Sequence, residues 1–304
     1  MAISTPERTA RRAVADLGRP TGRTFKERAF MWLLLVGTLI SLLVLAVLII
    51  DILRDGLGRL NLSLLTDYTS RFPEETGVRA GLTGTLSLMV LTPSMAFPLG
   101  VAAAVYLEEF ASDNRWTRLL EANISNLAAV PSVVYGLLGA GVFVYLLADF
   151  TGGRSLLTGS VTLALLILPV IIVASREALR SVPRAIRDAG LALGATPLQV
   201  TARQTLPAAL PGIMTGTILS VSRAIGETAP ILVAGAVFSR RADNELWHPF
   251  EAYTALPIQI YDFVIRPQPE FAEAAAAAII LLMAILMVLN SAAIVLRNRY
   301  SRRW

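Results

Sequence analysis

The chain has 304 residues, of which 55% are hydrophobic and 16% charged, and a formal net charge of +5. Soluble domains carry about a quarter charged residues, so this composition argues against a water-soluble globule. The absence of cysteine excludes disulfides, thiolate chemistry and cysteine-based zinc sites, and the single histidine, His248, cannot build a His-rich metal centre alone. In chain order, residues 1–28 are polar and arginine-rich and predict a cytoplasmic N-terminal tail. The uncharged run Ala29–Ile50 is too long for a signal-peptide core. Asp51-Ile52-Leu53-Arg54 follows it in place of a small-residue cleavage site, so a retained first transmembrane helix is expected over 29–52. Further uncharged runs cover Gly81–Leu107, Asn123–Ala148, Ser155–Ser175 and Ala274–Leu296, and Gln204–Ser239 is interrupted only by Arg223 and Glu227. Each reaches the roughly 20 residues that a helix needs to cross the hydrocarbon layer. The expected fold is an all-α membrane protein of six transmembrane helices, five of them in a core over 80–297, with a short cytoplasmic tail at 298–304.

The placement of arginine and lysine sets the expected orientation. With the N-terminus inside, segments 1–28, 108–122, 176–203 and 297–304 carry 18 Lys+Arg, against 8 in the outside segments 51–80, 149–154 and 240–273. This bias predicts both termini in the cytoplasm, Asn61 and Asn244 outside, and Arg11 and Ser301 inside. It also explains the positive charge without nucleic acid, since no basic stripe lies on a soluble face. Pro93 and Pro98, Pro131, and Pro169 fall in three successive runs and predict kinks in a bundle with an internal path. Gly212 and Gly216, and the group Gly136, Gly139 and Gly141, predict close helix approach.

The inside loop 176–210 has a pattern of its own. Ser181 as a cap and Pro183 in the first turn begin a helix. Ile186, Ala189, Gly190 and Leu193 then share one apolar face, and Gly194 is a left-handed stop. Thr196 and Gln199 stand at capping-box spacing, and the chain re-enters the membrane through Leu206-Pro207. An amphipathic helix here needs a cover: the protein's own helices, the lipid interface or a partner. The run Asp188-Ala189-Gly190-Leu191-Ala192-Leu193-Gly194, then nine residues, then Gln204-Thr205-Leu206-Pro207, resembles the EAA loop of ABC importer permeases. Asp188 replaces the usual Glu and Gln204 the usual aliphatic residue. The resemblance implies the type I importer permease fold. It assigns ATPase coupling to Ile186, Asp188, Ala189, Gly190, Leu193, Gly194, Leu206 and Pro207, docked on cytoplasmic ATP-binding subunits. A P-loop needs GxxxxGK[ST], and the only lysine, Lys26, has no glycine beside it. ATP and Mg are therefore expected on the partner ATPase, with no catalytic, cofactor or metal site on this chain.

Arg223 and Glu227 lie four residues apart, on one face of an expected helical span. Each charge near the middle of a membrane costs about 2.5–3.5 kcal/mol, so both must face protein or water. They form either a structural ion pair or an arginine that meets an anion, with Glu227 holding it in place. Ser222-Arg223-Ala224-Ile225-Gly226-Glu227-Thr228-Ala229-Pro230 resembles the RxxGETAP signature of the PstA-type phosphate-importer permeases. Pro131-Ser132-Val133-Val134-Tyr135-Gly136-Leu137, Ala255-Leu256-Pro257-Ile258-Gln259-Ile260-Tyr261 and the last span with Asn290 agree with it, so the resemblance covers roughly 80–304. Val173 stands where that family often has a second arginine, and Arg176 is the nearest candidate. The resemblance implies half of a translocation path for inorganic phosphate, with Arg223 and Glu227 in translocation or gating. It implies two ATP-binding subunits, a sister phosphate permease subunit, an extracytoplasmic phosphate-binding protein and a multi-pass place in a bacterial inner membrane. An ABC permease for sulfate, molybdate or a compatible solute remains the alternative. A membrane-embedded enzyme would need paired carboxylates, a metal cluster or a nucleophile–base pair that the runs lack.

Overall fold

The computed structural model describes residues 25–239, 242–244, 246 and 248–300; Arg11, the rest of the expected tail at 1–24, and Ser301 lie outside the described residues. The chain divides into two compact units after Asp51. Helix α1 (Phe25–Leu57) runs across that division. Within the first unit it is a single apolar helix with almost every side chain exposed, the surface expected of a helix solvated by lipid.

The second unit holds α2 (Leu62–Thr66), a 3₁₀ turn at Pro73–Glu75, and α3 (Arg79–Val105) prolonged by a π-turn at Tyr106–Phe110. Then come α4 (Arg115–Ala128), α5 (Ser132–Leu138) prolonged by a π-segment at Gly139–Leu146, α6 (Ala148–Thr151) and α7 (Leu156–Arg180). After these come α8 (Arg184–Ala192) and α9 (Pro197–Val200), which runs through a π-turn at Thr201–Thr205 into α10 (Leu206–Ile225). Helices α11 (Ala229–Val233), α12 (Leu256–Ile265) and α13 (Glu270–Tyr300) complete it. The described residues contain no strand.

Among the described residues five helices are long and apolar enough to cross a membrane, and the pair α4–α5, bent by 105°, adds a sixth where it is counted as one broken span. The expected span Asn123–Ala148 is therefore not one helix. Pro131 sits at the N-cap of α5, lacks a backbone donor and disfavours helix in the residue before it. Across the break the Tyr135 hydroxyl donates to the Leu127 carbonyl at 2.9 Å, tying α5 to the last turn of α4. The run Gln204–Ser239 is also divided, because α10 stops at Ile225 and Gly226 is its C-cap. Pro230 has no N–H to donate to the Gly226 carbonyl, so α10 does not continue through it; it stands instead in the first turn of the short α11, where proline is tolerated. Pro93 and Pro98 lie inside α3 and Pro169 inside α7, as expected.

Helix α7 is the mast of this unit. Leu156 and Leu163, then Ala164, Ile167 and Ile171, then Ile172 and Leu179 carry successive parts of the core along its length. Helix α10 packs closely against it at two glycines. A Cβ at Gly212 would come 2.8 Å from that of Ala178, and one at Gly216 closer still to that of Ala174. Such approach gains van der Waals contact that lipid cannot supply.

The loops of the second unit gather at two ends. At one, Arg79 forks onto Asp243 with Nη2–Oδ2 at 2.7 Å, Arg266 donates to the Ser70 carbonyl, and the Leu156 N–H donates to the Glu251 carbonyl. At the other lie the π-turn after α3, helix α4 and residues 176–205. These are the two groups that the arginine count separates. Asn244 is only 5% exposed, with Nδ2 on the Ala252 carbonyl, Oδ1 accepting from Thr254 and its carbonyl accepting from Ser87. It is no open outside position, contrary to the expectation from sequence.

Candidate functional site

The inside loop forms a helical hairpin whose turn chemistry is local. Gly194 takes φ +82°, a conformation that costs other residues a Cβ clash. Its N–H donates to the Leu191 carbonyl at 2.9 Å and the Ala195 N–H to Gly190 at 3.2 Å, which together close a Schellman stop. Thr196 and Gln199 then form the expected capping box at the start of α9. Ser181 is not the cap of α8. Its hydroxyl donates to the Ala178 carbonyl at the end of α7, and Pro183 occupies the N-cap of α8 without a side-chain bond.

The expected single face of α8 is divided. Gly190 is buried and Ile186 half-buried against the bundle, whereas Ala189 is exposed and Leu193 is 87% exposed. A Cβ on Gly190 would meet Gln204 Oε1 at 2.6 Å and Val200 Cγ2 at 2.8 Å, so glycine is the edge on which α8 rests. Leu193, at the C-cap, has left the helical path. The outward surface is thus Asp188, Ala189, Leu191 and Leu193, joined by Leu198 of α9. Leu206 packs partly into the core and Pro207 is exposed beside it, at the re-entry rather than on this surface. Pro207 cannot bond the Arg203 carbonyl, and the chain passes this point on an i→i+5 bond from Leu206 to Thr201.

Sequence reasoning missed the ion-pair cluster beside the hairpin. Arg176, 9% exposed at the end of α7, donates Nη2 to Glu121 at 2.5 Å and lies 3.4 Å from Glu108. Glu108 also accepts from Arg180 at 2.9 Å. Arg187 of α8 meets Glu109 at 2.6 Å, and that hydrogen bond holds the guanidinium above its ordinary pKa range. Arg176, the nearest candidate for a second arginine, is thus ion-paired within this cluster. The available signal was the adjacent pair Glu108-Glu109, closing one inside loop, against arginines at 176, 180 and 187 in the other.

Arg223 occupies the last turn of α10, and Glu227 follows the helix end. The pair is therefore not on one continuous helical face, as the spacing suggested. It is joined by one long contact, Nε to Oε1 at 3.4 Å, with the arginine side chain 59% exposed and the glutamate 18%. Arg223 borders a recess at the α4–α5 break with Leu127, Val130, Tyr135 and Ser220. Among the described residues its Nη groups meet no acceptor, so they present the planar N–H groups of a permanent cation. Its neighbour Ser222 points elsewhere. It bonds Asn290 across an apolar groove of about 280 Å³ between α3, α10 and α13, bordered also by Met89, Phe97 and Met214.

Residues 96–303 match the family described as "Binding-protein-dependent transport system inner membrane component". The chain is 31% identical over 208 residues to the probable ABC transporter permease protein YqgI of Bacillus subtilis, covering 68% of this chain and 69% of that one. It is 30% identical over 260 residues to the probable phosphate transport system permease protein PstA of Methanocaldococcus jannaschii, covering 84% and 88%. To PstA 1 of Mycobacterium tuberculosis it is 37% identical over 194 residues, covering 63% and 61%. Among solved structures, a bacterial ABC transporter for alginate import matches with a TM-score of 0.64 at 15% identity, covering 91% of this chain and 98% of that one. The MetNI methionine transporter matches at 0.58 and 19% identity, covering 73% and 95%. The fold is that of the type I ABC importer permeases, and with the family's model matched across most of its length the chain belongs to the inner-membrane components of binding-protein-dependent transport systems.

Proposed function

We propose that this chain is the permease subunit of an ATP-driven importer of inorganic phosphate, forming half of the translocation path. The observation that carries the transport reading is the pairing, in one bundle, of an exposed hairpin helix at one end with an arginine of open donors at a broken helix. Phosphate as the cargo is supported by the relatives named as phosphate permeases, 28–38% identical over up to 90% of this chain. In this reading a separate ATP-binding subunit docks on Asp188, Ala189, Leu191 and Leu193, two such subunits serve the pair, and a sister permease supplies the other half. ATP and Mg belong to the ATPase. An extracytoplasmic phosphate-binding protein delivers the anion, Arg223 meets it, and Glu227 restrains Arg223 between encounters. Both termini lie in the cytoplasm of a bacterial inner membrane.

The test is purification in mild detergent followed by uptake of labelled phosphate in vesicles. One ATPase and one sister permease should accompany the chain, and excess unlabelled phosphate should suppress uptake while sulfate and molybdate do not. Suppression by sulfate or molybdate reassigns the cargo, and the absence of an ATPase ends the importer reading.

A further inference from the structure

We propose that Arg187 is the positioning residue that makes the docking helix α8 and the end of α3 one rigid body, so that a movement of the bound ATPase is delivered to α3. This rests on the reading of α8 as the ATPase dock.

The intrinsic hold on α8 is thin, because Gly190 is its one buried residue. Arg187 supplies the rest. Its Nε donates to both Glu109 oxygens at 3.1 and 3.2 Å, and Nη2 donates to Oε1 at 2.6 Å. The same guanidinium reaches the Leu179 carbonyl at 2.9 Å and the Val182 carbonyl at 2.8 Å. The Leu179 carbonyl is in the last turn of α7 and the Val182 carbonyl lies two residues past its end. One side chain thereby joins α3, α7 and α8 through a planar fork that lysine cannot reproduce.

The geometry of α3 suits it to receive a push. The i→i+5 bond from Ala111 to Tyr106 closes a π-turn carrying Glu108 and Glu109. Glu108 meets Arg176 and Arg180 of α7, whereas Glu109 meets α8. Glu109 is 8% exposed, and a carboxylate so buried is costly to leave without its cation, so the pair persists while the helices move. At its far end α3 is latched again: Arg79 to Asp243, Ser87 to the Asn244 carbonyl, and Thr85 accepting from the Leu256 N–H at 2.8 Å. A displacement of α8 is therefore passed to α3, whose far end is tied to the loop at the opposite side. Between these ends α3 presents Met89 and Phe97 to the groove shared with α10 and α13.

The experiment uses the full complex, with both permeases, ATPase and binding protein, in proteoliposomes. Arg187→Gln and Glu109→Gln are expected to co-purify with ATPase as the parent does and to keep basal ATP hydrolysis. Uptake and substrate-stimulated hydrolysis should fall about tenfold. Intact uptake in both glutamine variants, with docking intact, overturns this proposal alone. Loss of the ATPase from the variants also overturns it, by making Arg187 part of the dock. An ATPase that never accompanies the parent chain overturns the docking reading and this proposal with it. Should the glutamine variants not accumulate in the membrane, Arg187→Lys decides, and normal coupling in that variant overturns the proposal.

Discussion

An arginine at the end of a long apolar helix needs a reason, and at Arg223 ion pairing supplies little of one. Its side chain is 59% exposed and its contact with Glu227 is a single one at 3.4 Å, so the pair contributes little to holding the bundle together. Arg223→Gln should therefore insert and assemble at parental levels while phosphate uptake falls by about tenfold or more, the loss expected when a charged donor to a bound anion is removed. Immunoblotting of membranes with an uptake assay checks this. Loss of the protein from the membrane would assign Arg223 a structural role instead. The exchange Arg223→Glu with Glu227→Arg keeps the pair and moves the cation. It should stay inactive, and recovery of uptake would mean that pairing is all the two residues do. Two charges within an apolar run are conspicuous in a sequence, which is why Arg223 and Glu227 stand out there. Glu109 and Arg187 do not, because they stand 78 residues apart in segments where charge is ordinary, and only the fold brings them together.

At the scale of elements, the α8–α9 hairpin separates what short-range chemistry determines from what packing determines. The stop at Gly194 and the capping box at Thr196 and Gln199 depend on residues within five positions, and their spacing identified them. The outward face of α8 depends on Val200 and Gln204, which receive Gly190, and an apolar repeat carries no record of which edge a later segment will cover. Ala189 lies on the exposed side, so Ala189→Asp should leave the fold and the membrane level unchanged. Against an apolar groove on the ATPase it would bury an unpaired carboxylate, at a cost of several kcal/mol. Co-purification of the ATPase should then be lost, and full recruitment with full uptake would exclude this surface as the dock. Gly194→Pro acts differently. It forces φ from +82° toward about −65° and deletes the donor to Leu191, so the hairpin itself should open. Limited proteolysis should cut the Gly194→Pro loop faster than the Ala189→Asp loop, and equal cutting would mean that the Schellman stop does not set the turn.

Over the whole molecule, hydropathy located the long apolar helices because a run of about 20 uncharged residues has the length to cross the hydrocarbon layer. Pro131 marked a kink, but counting residues gives no angle, so the 105° bend between α4 and α5 and the end of α10 at Gly226 emerged only with the helix axes. Both breaks adjoin Arg223, the place where irregular backbone is best tolerated, since such backbone persists at membrane depth only beside protein or a water-lined cavity. The two loop groups follow from an alternating path, and the structure collects 108–122 with 176–203 at one end of the second unit. Which end is cytoplasmic rests on the 18 to 8 excess of arginine and lysine. The cysteine-free sequence makes that testable with single probes. Leu62 is 74% exposed in the group expected outside, and Ser112 is exposed in the loop expected inside. Leu62 is a better choice than Asn61, whose carboxamide caps α2 by accepting from the Leu64 N–H. In intact cells an impermeant maleimide should label Leu62→Cys and leave Ser112→Cys unlabelled until the membrane is permeabilised, while a permeant reagent labels both. The reverse pattern would place α8 and its outward face away from the cytoplasm, where no ATP-driven subunit could reach them.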